Sequence, residues 1–229
     1  WKYKQGYALD ADKQSRELLD KALGAMPVTA AAPVDVFNTN SWPRTGLVTL
    51  PKGTTGGAVK DEVGGPVPSQ RLSTGDLVFL ARDVPPFGAK RYTISDGPPS
   101  GGKATVDGLT LTTPALTVKL DAATGDVVSL RTTAGGAELA AGPVNNFLYL
   151  PGKDVSGVQT SGPAKVSVRE GGPLVVSLVA ESDAPGCRRL SREVRLVDGL
   201  DSVELIDLVD KKAVRSVEGV HFGFSFNIP

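Results

Sequence analysis

Histidine occurs once in the chain, at position 221 within Val220-His221-Phe222. One imidazole can carry a proton or serve as a single metal ligand, but it cannot build a two-histidine metal site. Strand alternation would set its side chain opposite those of Val220 and Phe222, so a structural place in a sheet stands beside the ligand role. Upstream, Asp210, Lys211 and Lys212 group a carboxylate with two ammonium ions. They could touch sugar or a neighbouring domain, or form a solvated turn between strands. Arg192, Glu193 and Arg195 fall on one predicted strand, with Arg192 opposite in sense to Arg195; either arginine could pair with a carboxylate at a domain interface. Cys187 is the single cysteine. The adjacent Arg188 and Arg189 would lower its pKa if close, but no histidine lies nearby in sequence to make it a nucleophile.

Asn38 and Trp42 are sharper candidates. An asparagine can close an Asx-type turn, and a tryptophan before proline can plug the end of a small sandwich. A tryptophan could equally stack on a sugar face, although no further aromatic or polar partners can be placed around it from sequence. The Gly-rich stretch from Gly53 to Pro68 carries neither a Walker lysine pattern nor a dinucleotide fingerprint, and reads as a surface loop. No catalytic residue is assigned.

These residues need a framework. The 229 residues, 40% hydrophobic and 22% charged, suffice for a substantial core in one large or two smaller domains of a soluble, globular protein. Lys+Arg and Asp+Glu both total 25, so net charge gives no reason to expect nucleic acid or an anionic membrane as partner. A single cysteine rules out an internal disulfide and leaves cytoplasm and periplasm both open. No apolar run approaches the roughly 20 residues needed to span a bilayer, and the N-terminus lacks a signal-peptide layout.

Residues 9 to 24 predict a short amphipathic helix, capped by Asp10, striped by Leu18, Leu19, Ala22 and Leu23, and stopped by Gly24. With no second helix to receive that stripe, residues 1–32 read as the tail of a preceding helical domain plus a linker. Residues 33–97 then predict a small β-sandwich, with strands at Val34–Phe37, Leu47–Leu50, Asp76–Ala81 and Lys90–Ile94. Beyond the Gly/Pro cluster at 96–102, apolar runs punctuated by Thr124-Gly125, Gly135-Gly136, Gly171-Gly172-Pro173 and Asp198-Gly199 predict a larger antiparallel sandwich over 103–229. The strand at Val203–Val209 and the run Phe222–Ile228 need sheet partners, some expected beyond residue 229, so the chain reads as a piece of something longer.

Val36-Phe37-Asn38 with Ser41-Trp42-Pro43-Arg44-Thr45, followed by the run from Val78 to Gly88, resembles the small β-domain of glycoside hydrolase family 38, the α-mannosidases. The segment from Leu120 to Leu130 is similar to the opening hairpin of that family's large C-terminal sandwich. Val209-Asp210-Lys211-Lys212 with Glu218 to Phe224 looks like a later part of the same domain. The resemblance covers most of the chain from residue 34 onward. It implies that 103–229 is part of a supersandwich of galactose mutarotase type, following a helical bundle. It also implies that the family's zinc, held by two histidines and two aspartates, belongs to a catalytic barrel upstream of Trp1. Retaining chemistry there would need two carboxyl groups about 5 Å apart. The expected partners are therefore the missing catalytic and helical domains, with carbohydrate touching Asn38, Trp42, Arg192, Asp210, Lys211 or His221 or those residues lying at domain interfaces. A stand-alone carbohydrate-binding module is the alternative. A mutarotase-type epimerase ranks last, because a lone histidine leaves its proton-transfer machinery incomplete.

Overall fold

In the strand from Leu77 to Val84 successive side chains alternate in direction, yet every one from Leu77 to Ala81 is buried, which a strand achieves only when both faces of its sheet are covered. A computed structural model, describing residues 2–23 and 33–227, shows what covers them. Residues 1–32 and 33–229 separate into two compact units.

The first unit is helix α1 (Lys2–Leu23). It starts seven residues earlier than predicted: the segment from Lys2 to Ala8 offers helix-compatible residues with Gly6 as its one weak point, so Asp10 lies inside the helix and does not cap it. Asp12–Arg16 and Lys13–Glu17 pair along the surface one turn apart. Leu18 and Leu19 are exposed, as are Tyr3 and Tyr7. The predicted stop at Gly24 lies outside the described residues. No described helix is long and apolar enough to cross a membrane.

The second unit is mainly β. Its first part holds β1 (Val34–Asn38), β2 (Arg44–Leu50), β3 (Ala58–Asp61), β4 (Pro66–Val67), β5 (Ser69–Arg71), β6 (Leu77–Val84) and β7 (Gly88–Ser95). They form antiparallel sheets in the orders β1-β7-β3-β4 and β2-β6-β5. Leu77, Phe79 and Ala81 of β6 meet Val59, Val67, Tyr92 and Ile94 of the facing sheet, with the Phe79 and Tyr92 rings 4.8 Å apart. Two of these strands fall inside the stretch expected to be a loop. Gly64, at φ +84°, turns the chain so that Val59 pairs with Val67, while Asp61 accepts hydrogen bonds from the Val63 and Gly65 amides. Glycine density there marks the turn of a hairpin whose two valines reach the core.

The second part holds β8 (Thr105–Asp107), β9 (Thr110–Thr112), β10 (Leu116–Leu120), β11 (Val127–Thr132), β12 (Ala140–Pro151), β13 (Gln159–Thr160), β14 (Ala164–Gly171), β15 (Val175–Ser182), β16 (Cys187–Val197), β17 (Val203–Lys211) and β18 (Glu218–Phe226). One sheet runs β13-β12-β11-β10-β9-β8 with β18 also on β12, and the other runs β14-β15-β16-β17. Leu111, Val118, Leu120 and Val127 of the first meet Val176, Leu178, Val194 and Leu196 of the second. Among the described strands β17 pairs only with β16, and β18 only with β12.

The two sandwiches share an interface. Val78 and Leu80, on the far face of β6, pack on Leu174, Val175 and Val197. Each such buried side chain contributes roughly 1.5–3 kcal/mol. The backbone groups beside them are satisfied by Gln70: its side-chain oxygen accepts from the Leu174 and Val175 amides at 2.9 and 2.8 Å, and its Nε2 donates to the Val175 carbonyl at 3.1 Å. Glu170, buried, accepts from the Ser73 amide and hydroxyl.

Two outcomes follow. Gln70→Ala should orphan two buried amides and lower stability by about 3 kcal/mol, read by urea denaturation of the chain. Glu138 accepts four bonds, from Ser129 Oγ, the Leu130 amide, Arg131 Nε and the Ala140 amide. Burial raises its pKa, but these donors outweigh it and hold the carboxyl at about 2, below its ordinary 4.5. Its contribution is thus full above pH 4.5 and lost as pH falls through about 2. Glu138→Gln should lower stability at neutral pH, flatten the acid limb, and converge with the parent near pH 2 in pH-dependent thermal unfolding.

Candidate functional site

Asn38 ends β1 with its side chain buried, and that burial is affordable only because every polar atom of the amide is used. Its Nδ2 donates to the Trp42 carbonyl at 2.7 Å and the Val84 carbonyl at 3.0 Å, while its Oδ1 accepts from the Asn40 amide at 3.0 Å. This is the Asx-type turn expected from sequence. Trp42 does not plug the sandwich: 60% of it is exposed, while its carbonyl is held at the turn by Asn38. Phe37 and Phe87 are exposed as well.

Beside this turn lies a cleft of about 550 Å³ within the second unit. Its walls are β1 and β2, the outer strands of the two small-sandwich sheets, together with the connection from β16 into β17. Val36, Val48 and Val84 supply apolar lining; Thr39, Arg44, Thr45, Ser202 and Glu204 supply polar groups. Trp42 is not among the lining residues.

Arg192 is placed differently from the expectation of a domain interface. It is 1% exposed, between the two sheets of the large sandwich. Alternation on β16 points Leu190, Arg192, Val194 and Leu196 inward, so the guanidinium enters an apolar layer and must be paired there. One Nη donates to Asp126 Oδ1 at 2.6 Å and to the Asn145 carbonyl at 2.7 Å; the other donates to the Thr124 carbonyl at 2.5 Å. Gly125, at φ +73°, lets this hairpin press close: a Cβ there would stand 2.3 Å from that of Ala180. Asn145, also at positive φ, donates from Nδ2 to Asp207 Oδ1 at 2.9 Å. Burial raises the Asp207 pKa above its ordinary value, opposed by the Asn145 hydrogen bond and the charge of Arg192. Arg195 points the other way, as predicted. With Arg169 it closes on Glu193, a carboxylate only 2% exposed. The roles of Asp126, Asn145 and Asp207 were not readable from sequence, since their partners lie dozens of residues away.

Asp210 and Lys211 belong to β17 itself and not to a solvated turn. Arg188 clamps Asp210 through two nitrogens, and Lys211 donates to Glu218 at 2.6 Å, whose other oxygen accepts from the Tyr149 hydroxyl at 2.5 Å. His221 is exposed on β18, opposite in sense to Val220 and Phe222, which pack with Phe147, Cys187 and Leu190. Burial pushes the Cys187 thiol up in pKa, against a smaller lowering by Lys211 and Lys212. Arg188 and Arg189 do not activate it, because their guanidinium groups are taken by Asp210 and Glu181. The candidates therefore do not converge. Asn38 lines the cleft, Arg192 lies inside the large sandwich, and Asp210 and Lys211 make separate ion pairs on β17.

A zinc site of two histidines and two aspartates cannot be assembled from one histidine, and among the described residues no group of three or more His, Cys, Asp or Glu side chains is placed to hold a metal ion. Among the described residues the buried carboxylates meet donors already: Glu193 faces two arginines and Glu170 faces Ser73, and the half-buried Asp126 faces Arg192.

Solved structures share this fold. The chain matches an α-mannosidase from Enterococcus faecalis V583 with a TM-score of 0.57 and 13% identity, over 87% of this chain and 32% of that one. A protein in glycosyl hydrolase family 38 from Enterococcus faecalis matches with the same TM-score and identity, over 87% of this chain and 33% of its own. At that identity the likeness is one of fold, and this chain spans about a third of the length of either structure. No protein-family model and no curated protein sequence matches it.

Removing the buried cation tests the centre of the large sandwich. Arg192→Met should cost about 3–5 kcal/mol in chemical denaturation by leaving Asp126 and two carbonyls without their donor. It should also move Asp207 further up in a carboxyl-detected NMR titration.

Proposed function

We propose that this chain is the non-catalytic β-portion of an α-mannosidase-like glycoside hydrolase of family 38, bracing a catalytic domain supplied by the same polypeptide. The observation that carries this reading is one of proportion: 87% of this chain finds its counterpart in about a third of a solved α-mannosidase. The order of the sequence segments from Val36 to Phe224 that resemble the family supports the same assignment.

In this reading zinc and the two carboxyl groups of the reaction belong to the catalytic domain, and residues 33–229 act by position. A rigid double sandwich held against the barrel fixes its loops, so separating the two would lose activity through lost orientation more than lost chemistry. The partners are the catalytic and helical domains, with α1 as part of the latter, and carbohydrate is a further ligand. The second reading is a stand-alone carbohydrate-binding module, favoured by the exposed Phe37 in the cleft lining and the exposed Trp42 on the adjoining turn.

Zinc-supplemented hydrolysis of an aryl α-mannoside separates these readings. The 229-residue chain should give no turnover, and a natural product extended upstream of Trp1 should give it. Turnover by the chain alone would overturn the accessory role.

A further inference from the structure

The cleft between β1, β2 and the β16–β17 connection combines features that the other recesses do not. Its volume of about 550 Å³ is that of a small-molecule site, a range of roughly 300–1,000 Å³. It is assembled from both sandwiches, whose relative placement is fixed by the Gln70 and Val78–Leu174 contacts, so its walls are preformed. One end is stiffened by Asn38, whose amide is fully committed to backbone. Arg44 lies exposed in its lining and, unlike Arg91, Arg192 and Arg195, has no ion pair among the described residues.

The chemistry of the lining selects a class of ligand. Arg44 offers a planar fork of N–H donors, suited to two adjacent oxygens. Glu204, 41% exposed in its side chain and 3.6 Å from Arg195, accepts hydroxyl protons and disfavours an anionic ligand. Thr39 and Ser202 can each donate and accept, and Thr45 Oγ1, which already accepts from the Asp83 amide, can still donate its proton. Val36 and Val48, at the margin of the small-sandwich core, and the exposed Phe37 add apolar surface to the lining. A neutral ring with vicinal hydroxyls on its edge and C–H groups on its face answers each of these demands.

We infer that this cleft binds a single pyranoside unit, an α-mannoside, with Arg44 and Glu204 as its principal polar contacts. The identity of the sugar rests on the mannosidase reading above; the polyol class rests on the lining alone. Trp42, despite its exposure, lies outside the lining and is not a contact.

The test is a ¹H–¹⁵N NMR titration of the 229-residue chain with methyl α-D-mannopyranoside to about 50 mM, matching the millimolar affinity expected of one sugar ring in an open site. Saturable shifts should be confined to Thr39, Arg44, Thr45, Ser202, Glu204 and their neighbours. Arg44→Ala, at an exposed and unpaired position, should keep the thermal midpoint and weaken binding by about tenfold, and Phe37→Ala should weaken it less. Trp42→Ala should leave binding unchanged. Absence of saturable shifts at the cleft, or parent-like binding by Arg44→Ala, would overturn the proposal. A response to methyl β-D-galactopyranoside without one to the mannoside would overturn the ligand. Because hydrolysis by the longer protein is measured separately, a silent cleft beside an active longer enzyme removes this site alone and leaves the bracing role standing.

Discussion

Because Leu77, Phe79 and Ala81 face one way along β6 and Val78 and Leu80 the other, the sheet β2-β6-β5 has no solvent face and must be sandwiched on both sides. That requirement ties the small sandwich to the large one. Burying a sheet against the start of β15 leaves main-chain amides that no strand reaches, and Gln70 fills the gap with a side-chain amide that imitates a peptide group. The cleft depends on the same constraint, since one of its walls comes from the connection between β16 and β17 and the other two from β1 and β2. Without the shared layer there would be two sandwiches and no site between them.

The large sandwich solves a second problem inside its own core. An arginine on an inward strand position is costly unless its guanidinium finds acceptors, and the hairpin Thr124-Gly125-Asp126 delivers a carbonyl and a carboxylate to the two Nη groups of Arg192 at once, leaving only Nε without a partner. Asn145 adds a carbonyl from β12. The cluster thereby connects β12 and the β10–β11 turn to β16, across the two sheets. On the outer face of the same strand, Glu193 reverses the roles: a buried carboxylate is held by Arg169 and Arg195. Opposite charges on successive residues of one strand thus serve opposite faces.

Legibility in the sequence followed the range of the interactions. The strand of β6, the hairpins at Thr124-Gly125 and Asp198-Gly199, and the β16–β17 pair were visible because periodicity and turn residues are local signals. The hairpin of β3 and β4 was hidden by glycines and prolines that suggested a loop, since two-residue and four-residue strands carry almost no period. Asn38 was read correctly as a turn-former, a role its own neighbours define. Trp42 was not, because whether an indole turns inward depends on how its turn is held, here by Asn38, which is itself tied to Val84 on a distant strand. Arg192 was recognised as needing a carboxylate, but Asp126 is 66 residues away and reaches it only through the pairing of two sheets. Arg44 and Glu204 gave no local signal of the cleft they share.

Strand β17 carries Glu204, Ile206, Leu208 and Asp210 along its outward row, with Ile206 and Leu208 exposed and its free edge unpaired among the described strands. An uncovered edge with apolar residues at its centre is a template on which another chain can add a strand. The acidic side chains at either end of that apolar pair, each close to an arginine of the same sheet, place charge where an incoming strand would have to lie. What guards that edge is thus a pair of ion-paired carboxylates whose contribution to the stability of the fold is small.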